Sequence, residues 1–198
     1  MIRVWYKRPT IILILLMIIV FILQNTFDLE SLAFRPSLIS KTPWTIVTSI
    51  FLHADVSHIF FNMFALFFFG LYLENFVSTR DYLIIFLLSG IIGNIGYMIT
   101  TTNPNIPVVG ASGGIYGIMG CLAMIRPFAV VYIYFVPVPL IMAAGLWALT
   151  EALGLFTPSN IAHGSHLLGL IVGVMFGLYF RNQFNQKRVK IIMRFARG

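Results

Sequence analysis

The chain has 198 residues, of which 59% are hydrophobic and 10% are charged, and its mean hydropathy is +0.93. A soluble domain carries about a quarter charged residues, so this composition excludes a soluble fold and indicates a membrane protein of one domain. The net charge of +7 comes largely from the chain ends, which favours membrane topology over nucleic-acid binding, and the single Cys121 excludes an internal disulfide.

Six apolar segments approach the length of about 20 residues that a spanning helix needs. We predict these helices at residues 10–27, 57–77, 82–101, 110–125, 128–149 and 161–180. No small-residue cleavage pattern follows the first segment, so it is expected to be a retained helix and not a signal peptide. Pro137 and Pro139 are expected to kink the fifth. The predicted fold is an all-α polytopic membrane protein, with residues 1–198 forming one domain.

The connections differ in length and polarity. Residues 28–56 form the longest, and its apolar stretches predict a membrane-associated loop. Residues 101–107 and 157–160 are predicted turns, because both contain proline among small polar residues.

The distribution of basic residues predicts the topology. Six spans place both termini on one side of the membrane, with eleven basic residues there and two, Arg35 and Lys41, on the other. Basic residues favour the cytoplasmic side, so both termini are expected to be cytoplasmic. Residues 181–198 form a basic tail that is expected to rest on anionic lipid headgroups.

Polar side chains inside a membrane are costly, so each needs an explanation. His58 and Asn62, four residues apart on the second span, share a helix face and offer hydrogen-bond donors. Ser112 begins the fourth span, where backbone N–H groups without helical partners can stabilise an oxyanion. Taken alone, His58 and Asn62 are better explained as contacts between helices, and Ser112 as a small packing residue.

Small residues recur at every fourth position of the sixth span, and such a stripe lets another backbone approach closely. They are Ser165, Gly169, Gly173 and Gly177. The fourth span carries two matching pairs, Gly110 with Gly114 and Gly113 with Gly117. Packing these two spans together brings His166 to the depth of Ser112, because both residues lie in first turns at the same side of the membrane.

A serine beside a histidine base is the minimum for acyl transfer. Tyr116 shares the helix face of Ser112, and packing on the imidazole and ordinary aromatic filling are equally open for it. None of the acidic residues falls within the paired stripes, so a Ser112–His166 dyad without an acid is predicted. His163 and His166 lack an accompanying carboxylate or cysteine, so no metal or other cofactor is expected.

Three separated motifs resemble the rhomboid family of intramembrane serine proteases. Gly110-Ala111-Ser112-Gly113 is similar to the family's Gly-x-Ser-Gly signature, and His166-Leu167-Leu168-Gly169, followed by Gly173, is similar to its catalytic helix. The segment from His53 to Asn62 is similar to its His-x4-His-x3-Asn pattern. The similarity covers most of the chain, from about residue 44 to residue 179.

The resemblance implies a role for each candidate residue. Ser112 would be the nucleophile and His166 the base, preferred over His163 because Gly169 follows at the family's spacing. His58 and Asn62, with the Ser112 backbone N–H, would bind the oxyanion. The supporting residues would be Tyr116 under His166, a structural or water-retaining His53, Glu74 bracing the second span, and the glycines Gly110, Gly113, Gly169 and Gly173.

The resemblance also implies the minimal six-helix form of the fold, with the fifth span as a lateral gate. The substrates would be transmembrane segments of other proteins, cut within the lipid bilayer of the plasma membrane at a site open to the non-cytoplasmic side. The alternative is a non-proteolytic relative that binds membrane clients. A small transporter would predict inverted repeats, and the two halves show no convincing ones. The oligomeric state stays open.

Overall fold

In a computed structural model, the described residues, 8–157 and 161–195, form a helical bundle, with residues 184–195 described as helix backbone only. The longer helices are α1 Pro9–Gln24, α2 Val56–Leu73, α3 Thr79–Thr100, α4 Ser112–Ile125, α5 Leu140–Gly154 and α6 His163–Phe195. Of these, α2, α3 and the His163–Gln183 part of α6 are long and apolar enough to cross a membrane, whereas α1, α4 and α5 are apolar but shorter. A π-helical stretch, Leu66–Gly70, lies within α2.

The centre of the bundle is α4, which packs against both α3 and α6. A Cβ atom at Gly169 would lie 2.2 Å from the Gly113 carbonyl oxygen, and one at Gly173 would lie 1.9 Å from the Gly117 carbonyl oxygen. These backbones therefore touch directly, and only glycine fits at both positions of α6. Of the two glycine pairs predicted for the fourth span, Gly113 with Gly117 is the pair that meets α6.

The third helix is a further partner of this packing that the sequence analysis did not identify. A Cβ atom at Gly96 of α3 would lie 2.3 Å from the Gly164 carbonyl oxygen, and one at Gly93 would lie 2.8 Å from that of Ser165. Gly114 of α4 is covered by the Phe86 ring of α3. The stripe of α6 therefore packs against α3 and α4 together.

The prediction of a helix throughout residues 128–149 is wrong for its first part, so the fold is mostly helical and not entirely so. Val130–Ile133 (β1) and Val136–Pro139 (β2) form an antiparallel hairpin, and α5 begins only at Leu140. The Leu140 N–H donates to the Ala129 carbonyl, so alternate N–H groups of β2 face β1. Pro137 and Pro139 occupy the intervening positions, where no N–H is needed, and they do not kink a helix.

The long first connection is anchored to the segment that precedes α4. Phe34, which is buried, forms an isolated antiparallel bridge with Val108, and the Gly110 N–H donates to the Ser49 carbonyl at 2.9 Å. The Asn94 amide of α3 donates to Ser49 Oγ at 2.9 Å. These bonds hold the start of α4 in position.

Some predictions fall outside the described residues. These are the topology assignments of Arg3, Lys7 and Arg197, the last part of the predicted turn at residues 157–160, and the end of the basic tail.

Candidate active site

The site is built around a hydrogen bond between α4 and α6. Ser112 Oγ lies 2.8 Å from His166 Nε2. Both side chains lie in the first turn of their helices. The contact of Gly169 with Gly113 brings these two first turns together. His166 can therefore accept the hydroxyl proton, which is what activates a serine nucleophile.

Backbone donors surround the serine. The first backbone hydrogen bond of α4 runs from the Ile115 N–H to the Ala111 carbonyl, so the N–H groups of Ser112, Gly113 and Gly114 have no partner within the helix. The positive end of the helix dipole adds to their field. This arrangement favours a negatively charged oxygen beside Ser112.

His58 presents a further donor to the same region. The Ala54 N–H donates to His58 Nδ1 at 3.3 Å, so the neutral ring carries its proton on Nε2. Nε2 faces Gly110, where a Cβ atom would lie 2.8 Å away. Gly110 also has a φ of +128°, so glycine is required there for both space and backbone conformation.

Asn62 lies one turn after His58 and is buried. Its Nδ2 donates to the His58 carbonyl oxygen at 2.8 Å. Because an amide has two N–H groups, this bond orients the side chain and leaves a second donor. His58 and Asn62 therefore present N–H groups from one face of α2.

Tyr116 packs on His166, with ring centroids 4.5 Å apart and planes inclined by 4°. Its hydroxyl donates to Glu151 Oε1 of α5 at 2.5 Å. The same oxygen lies 3.1 Å from His166 Nδ1, without the alignment of a hydrogen bond. The sequence placed no acid within the paired stripes of the fourth and sixth spans, but a carboxylate from a third helix lies beside the serine–histidine pair.

Glu151 is the site residue that the sequence analysis missed. It is 6% exposed, and its other oxygen, Oε2, lies 2.6 Å from His163 Nδ1. The sequence offered a signal for this residue, because an acidic side chain next to an apolar segment is expected to pair with another polar group of the site. His163 therefore bonds to the carboxylate, whereas His166 bonds to the serine and lies beside the carboxylate.

Glu74 is not brought to this site. It lies just beyond α2, at the end opposite His58, where the Thr10 hydroxyl of α1 donates to Glu74 Oε2 at 2.9 Å. The Tyr82 hydroxyl lies 3.0 Å from Thr10 Oγ1. Glu74 therefore joins the first two helices.

His53 is fully buried in the connection before α2, and its ring meets the His58 ring at a centroid distance of 5.2 Å. The Gln24 side chain bonds both the N–H and the carbonyl of its backbone. Burial, and secondarily the His58 ring, lower the pKa of His53 from 6.5 to about 4. The neutral His53 ring therefore packs behind His58.

This burial predicts acid sensitivity. Between pH 6.5 and pH 4 the unfolded chain binds a proton at His53 and the folded chain does not, so stability falls as the pH falls through this window. The full effect is about 3 kcal/mol. We expect the thermal midpoint of His53→Gln in detergent to fall less than that of the native protein between pH 7 and pH 4. Parallel profiles would contradict this assignment.

An apolar cavity of about 660 Å³ lies between α2 and the hairpin with α5. Phe64, Phe68 and Tyr72 line it from α2, and Leu140 and Trp147 from α5. Its walls suit an apolar chain running alongside α2.

Comparison with known proteins identifies the family. The Rhomboid domain model matches residues 40–183. The Bacillus subtilis protein named Putative rhomboid protease YdcA is 34% identical over 132 residues, which cover 67% of this chain and 64% of that protein. Rhomboid protein 1, mitochondrial, of Saccharomyces cerevisiae is 26% identical over 158 residues, covering 73% of this chain and 44% of its own length.

Not every relative is a protease by name. Inactive RHOMBOID-like protein 8 of Arabidopsis thaliana is 32% identical over 79 residues, which cover 40% of this chain and 22% of that protein. The chain thus spans less than two thirds of the length of these relatives. Because the family model matches well over half of its residues, this membrane protein belongs to the rhomboid family.

Proposed function

We propose that this protein is a serine endopeptidase that cuts transmembrane segments of other membrane proteins within the bilayer. The observation that carries the proposal is the 2.8 Å contact between Ser112 Oγ and His166 Nε2. This pair lies beside the free N–H groups at the start of α4, and a nucleophile, a base and oxyanion donors together are what acyl transfer requires.

In the proposed reaction, Ser112 Oγ bonds to the scissile carbonyl carbon while His166 Nε2 takes the proton of the serine hydroxyl. The oxyanion accepts hydrogen bonds from the Ser112 backbone N–H, His58 Nε2 and the Asn62 amide. Collapse of the tetrahedral intermediate breaks the C–N bond, and His166 returns the proton to the leaving amine. Water, deprotonated by His166, then hydrolyses the acyl-enzyme and regenerates Ser112.

The substrate class follows from the surroundings of the site. The α2 helix exposes the aromatic rings of Phe60, Phe61, Phe64 and Phe68, and the apolar cavity adjoins this face. An apolar helix can rest on this surface, with α5 as the element that moves aside. The substrate must unwind where it is cut, because a helix keeps its carbonyls in hydrogen bonds.

The proposed topology has all six helices crossing the membrane with both termini cytoplasmic. The excess of eleven basic residues over two supports this orientation. The site then opens to the non-cytoplasmic side of the plasma membrane. Membrane fractionation, with labelling of cysteines introduced into each connection, tests both the location and the orientation.

A serine-directed probe separates the protease from the alternative, a client-binding protein without activity. We expect a fluorophosphonate to label the folded protein, and the purified protein in liposomes to cleave a reporter transmembrane segment. Absence of both reactions in folded protein would favour client binding.

Asn62→Ala tests the oxyanion assignment. Loss of one such donor lowers turnover by about 10²–10³-fold, so we expect reporter cleavage to fall by this factor without disappearing. Asn75→Ala is the matched control. Like Asn62, the Asn75 amide donates to a backbone carbonyl one turn earlier, that of Leu71 at 2.7 Å, but Asn75 follows the end of α2 that is far from Ser112. Equal activity in the two variants would remove Asn62 from the proposed mechanism.

A further inference from the structure

The carboxylate of Glu151 is held by two side chains and lies beside the proposed base. Tyr116 donates to Oε1 at 2.5 Å, His163 Nδ1 lies 2.6 Å from Oε2, and His166 Nδ1 lies 3.1 Å from Oε1. Gly154, on the same face of α5, makes room for His163, since a Cβ atom there would lie 2.4 Å from its ring.

This arrangement constrains the protonation of His166. A histidine that accepts the Ser112 proton at Nε2 must carry its other proton at Nδ1, the nitrogen nearest to the carboxylate. A buried negative charge at that distance favours this tautomer and stabilises the positive ring that forms when the proton is transferred. The parallel Tyr116 ring holds the imidazole plane, and its hydroxyl holds the carboxylate.

We propose that Glu151 is a positioning residue for His166, and that it supplies this charge from α5. The inference rests on the proposed function, since it concerns the same serine and histidine. Because α5 is also the proposed gate, the carboxylate leaves His166 whenever the non-cytoplasmic end of α5 moves away, so the base is fully supported only with α5 in its present position.

A role limited to anchoring α5 is the competing explanation, and the two differ in their effect on pH dependence. The groups around His166 are Ser112 and Tyr116 from α4, Glu151 from α5, His163 from α6 and His58 from α2. Within the described residues, Glu151 is the acidic member of this group. Its replacement by glutamine removes the negative charge and keeps the size of the side chain.

The test measures the rate at which a fluorophosphonate inactivates the full-length protein in liposomes across pH 5–9. We compare the native protein with Glu151→Gln and Glu151→Asp. The control is Thr150→Val, because Thr150 is the adjacent exposed residue of α5.

We expect Glu151→Gln to label about 10- to 100-fold more slowly at pH 7, with the acid limb of its pH–rate profile about one unit lower, because the ring loses a neighbouring negative charge. Glu151→Asp should keep the acid limb and recover part of the rate, and Thr150→Val should match the native protein. A folded Glu151→Gln with the native profile would overturn the proposal, and so would a slower rate with an unmoved acid limb.

Should Glu151→Gln fail to fold, Tyr116→Phe decides, because it removes one bond to the carboxylate and keeps the ring that packs on His166. A several-fold slower rate in Tyr116→Phe and in Glu151→Asp supports the proposal, and native rates in both overturn it. Failure of the folded native protein both to react with the probe and to cleave the reporter would instead refute the proposed function.

Discussion

We expect Ser112→Ala to abolish cleavage of a reporter transmembrane segment, down to the background of the assay. Without Oγ no acyl-enzyme forms, and loss of a nucleophilic serine from a working catalytic group costs on the order of 10⁶-fold in turnover. The change does not touch the glycine contacts of α4, so we expect the variant to fold like the native protein. The measurement is reporter cleavage in liposomes over a long incubation, together with fluorophosphonate labelling.

Ser40→Ala is the control, because Ser40 is an exposed serine of the first connection. It should be labelled and active like the native protein. Cleavage by Ser112→Ala above background would assign the nucleophile to another residue, and labelling of this variant would show that the probe reacts elsewhere.

Gly173→Val is expected to disrupt the site from a distance. The added Cβ atom would lie 1.9 Å from the Gly117 carbonyl oxygen and 2.7 Å from the Gly117 Cα atom. Both are backbone atoms, so α4 and α6 must separate, at a cost of about 3 kcal/mol or more. We expect a lower thermal midpoint and loss of fluorophosphonate labelling, since the 2.8 Å contact of Ser112 with His166 depends on the same pair of helices.

Gly145→Ala is the matched control for this variant. Gly145 is also a glycine in the middle of an apolar helix, but nothing lies within 4 Å of an added Cβ atom. Its thermal midpoint and labelling should equal or slightly exceed those of the native protein. If Gly145→Ala shows the same loss of stability and labelling as Gly173→Val, separation of α4 from α6 is not the cause of that loss.

The approach of Ser112 to His166 could be predicted because glycine spacing along two helices is a local property of the sequence. The place of Glu151 could not. It depends on the rotation of α5 and on its start at Leu140, which is later than predicted because the hairpin takes up residues 130–139. Glu151 then falls near the end of α5, facing Tyr116, and not in the connection beyond the fifth span.

The hairpin was missed because its turn lacks the usual residues. A two-residue turn of this type favours Asn-Gly, whereas this chain has Tyr134-Phe135. A signal was present in the sequence, because Val130, Val131, Val136 and Val138 are β-branched, and Pro137 and Pro139 beside them disfavour a helix. High hydropathy over the whole segment concealed it.

The turn of this hairpin makes its stability depend on the lipid or detergent that surrounds it. Tyr134 and Phe135 have φ values of 47° and 67°, a conformation that costs about 1–2 kcal/mol for each such residue. Their side chains are 93% and 97% exposed, so no contact within the described chain offsets this strain. Aromatic rings partition favourably into the boundary between lipid and water. The hairpin should therefore be an element whose equilibrium depends on the solvent, relaxed in a bilayer of suitable thickness and strained in a thin detergent layer.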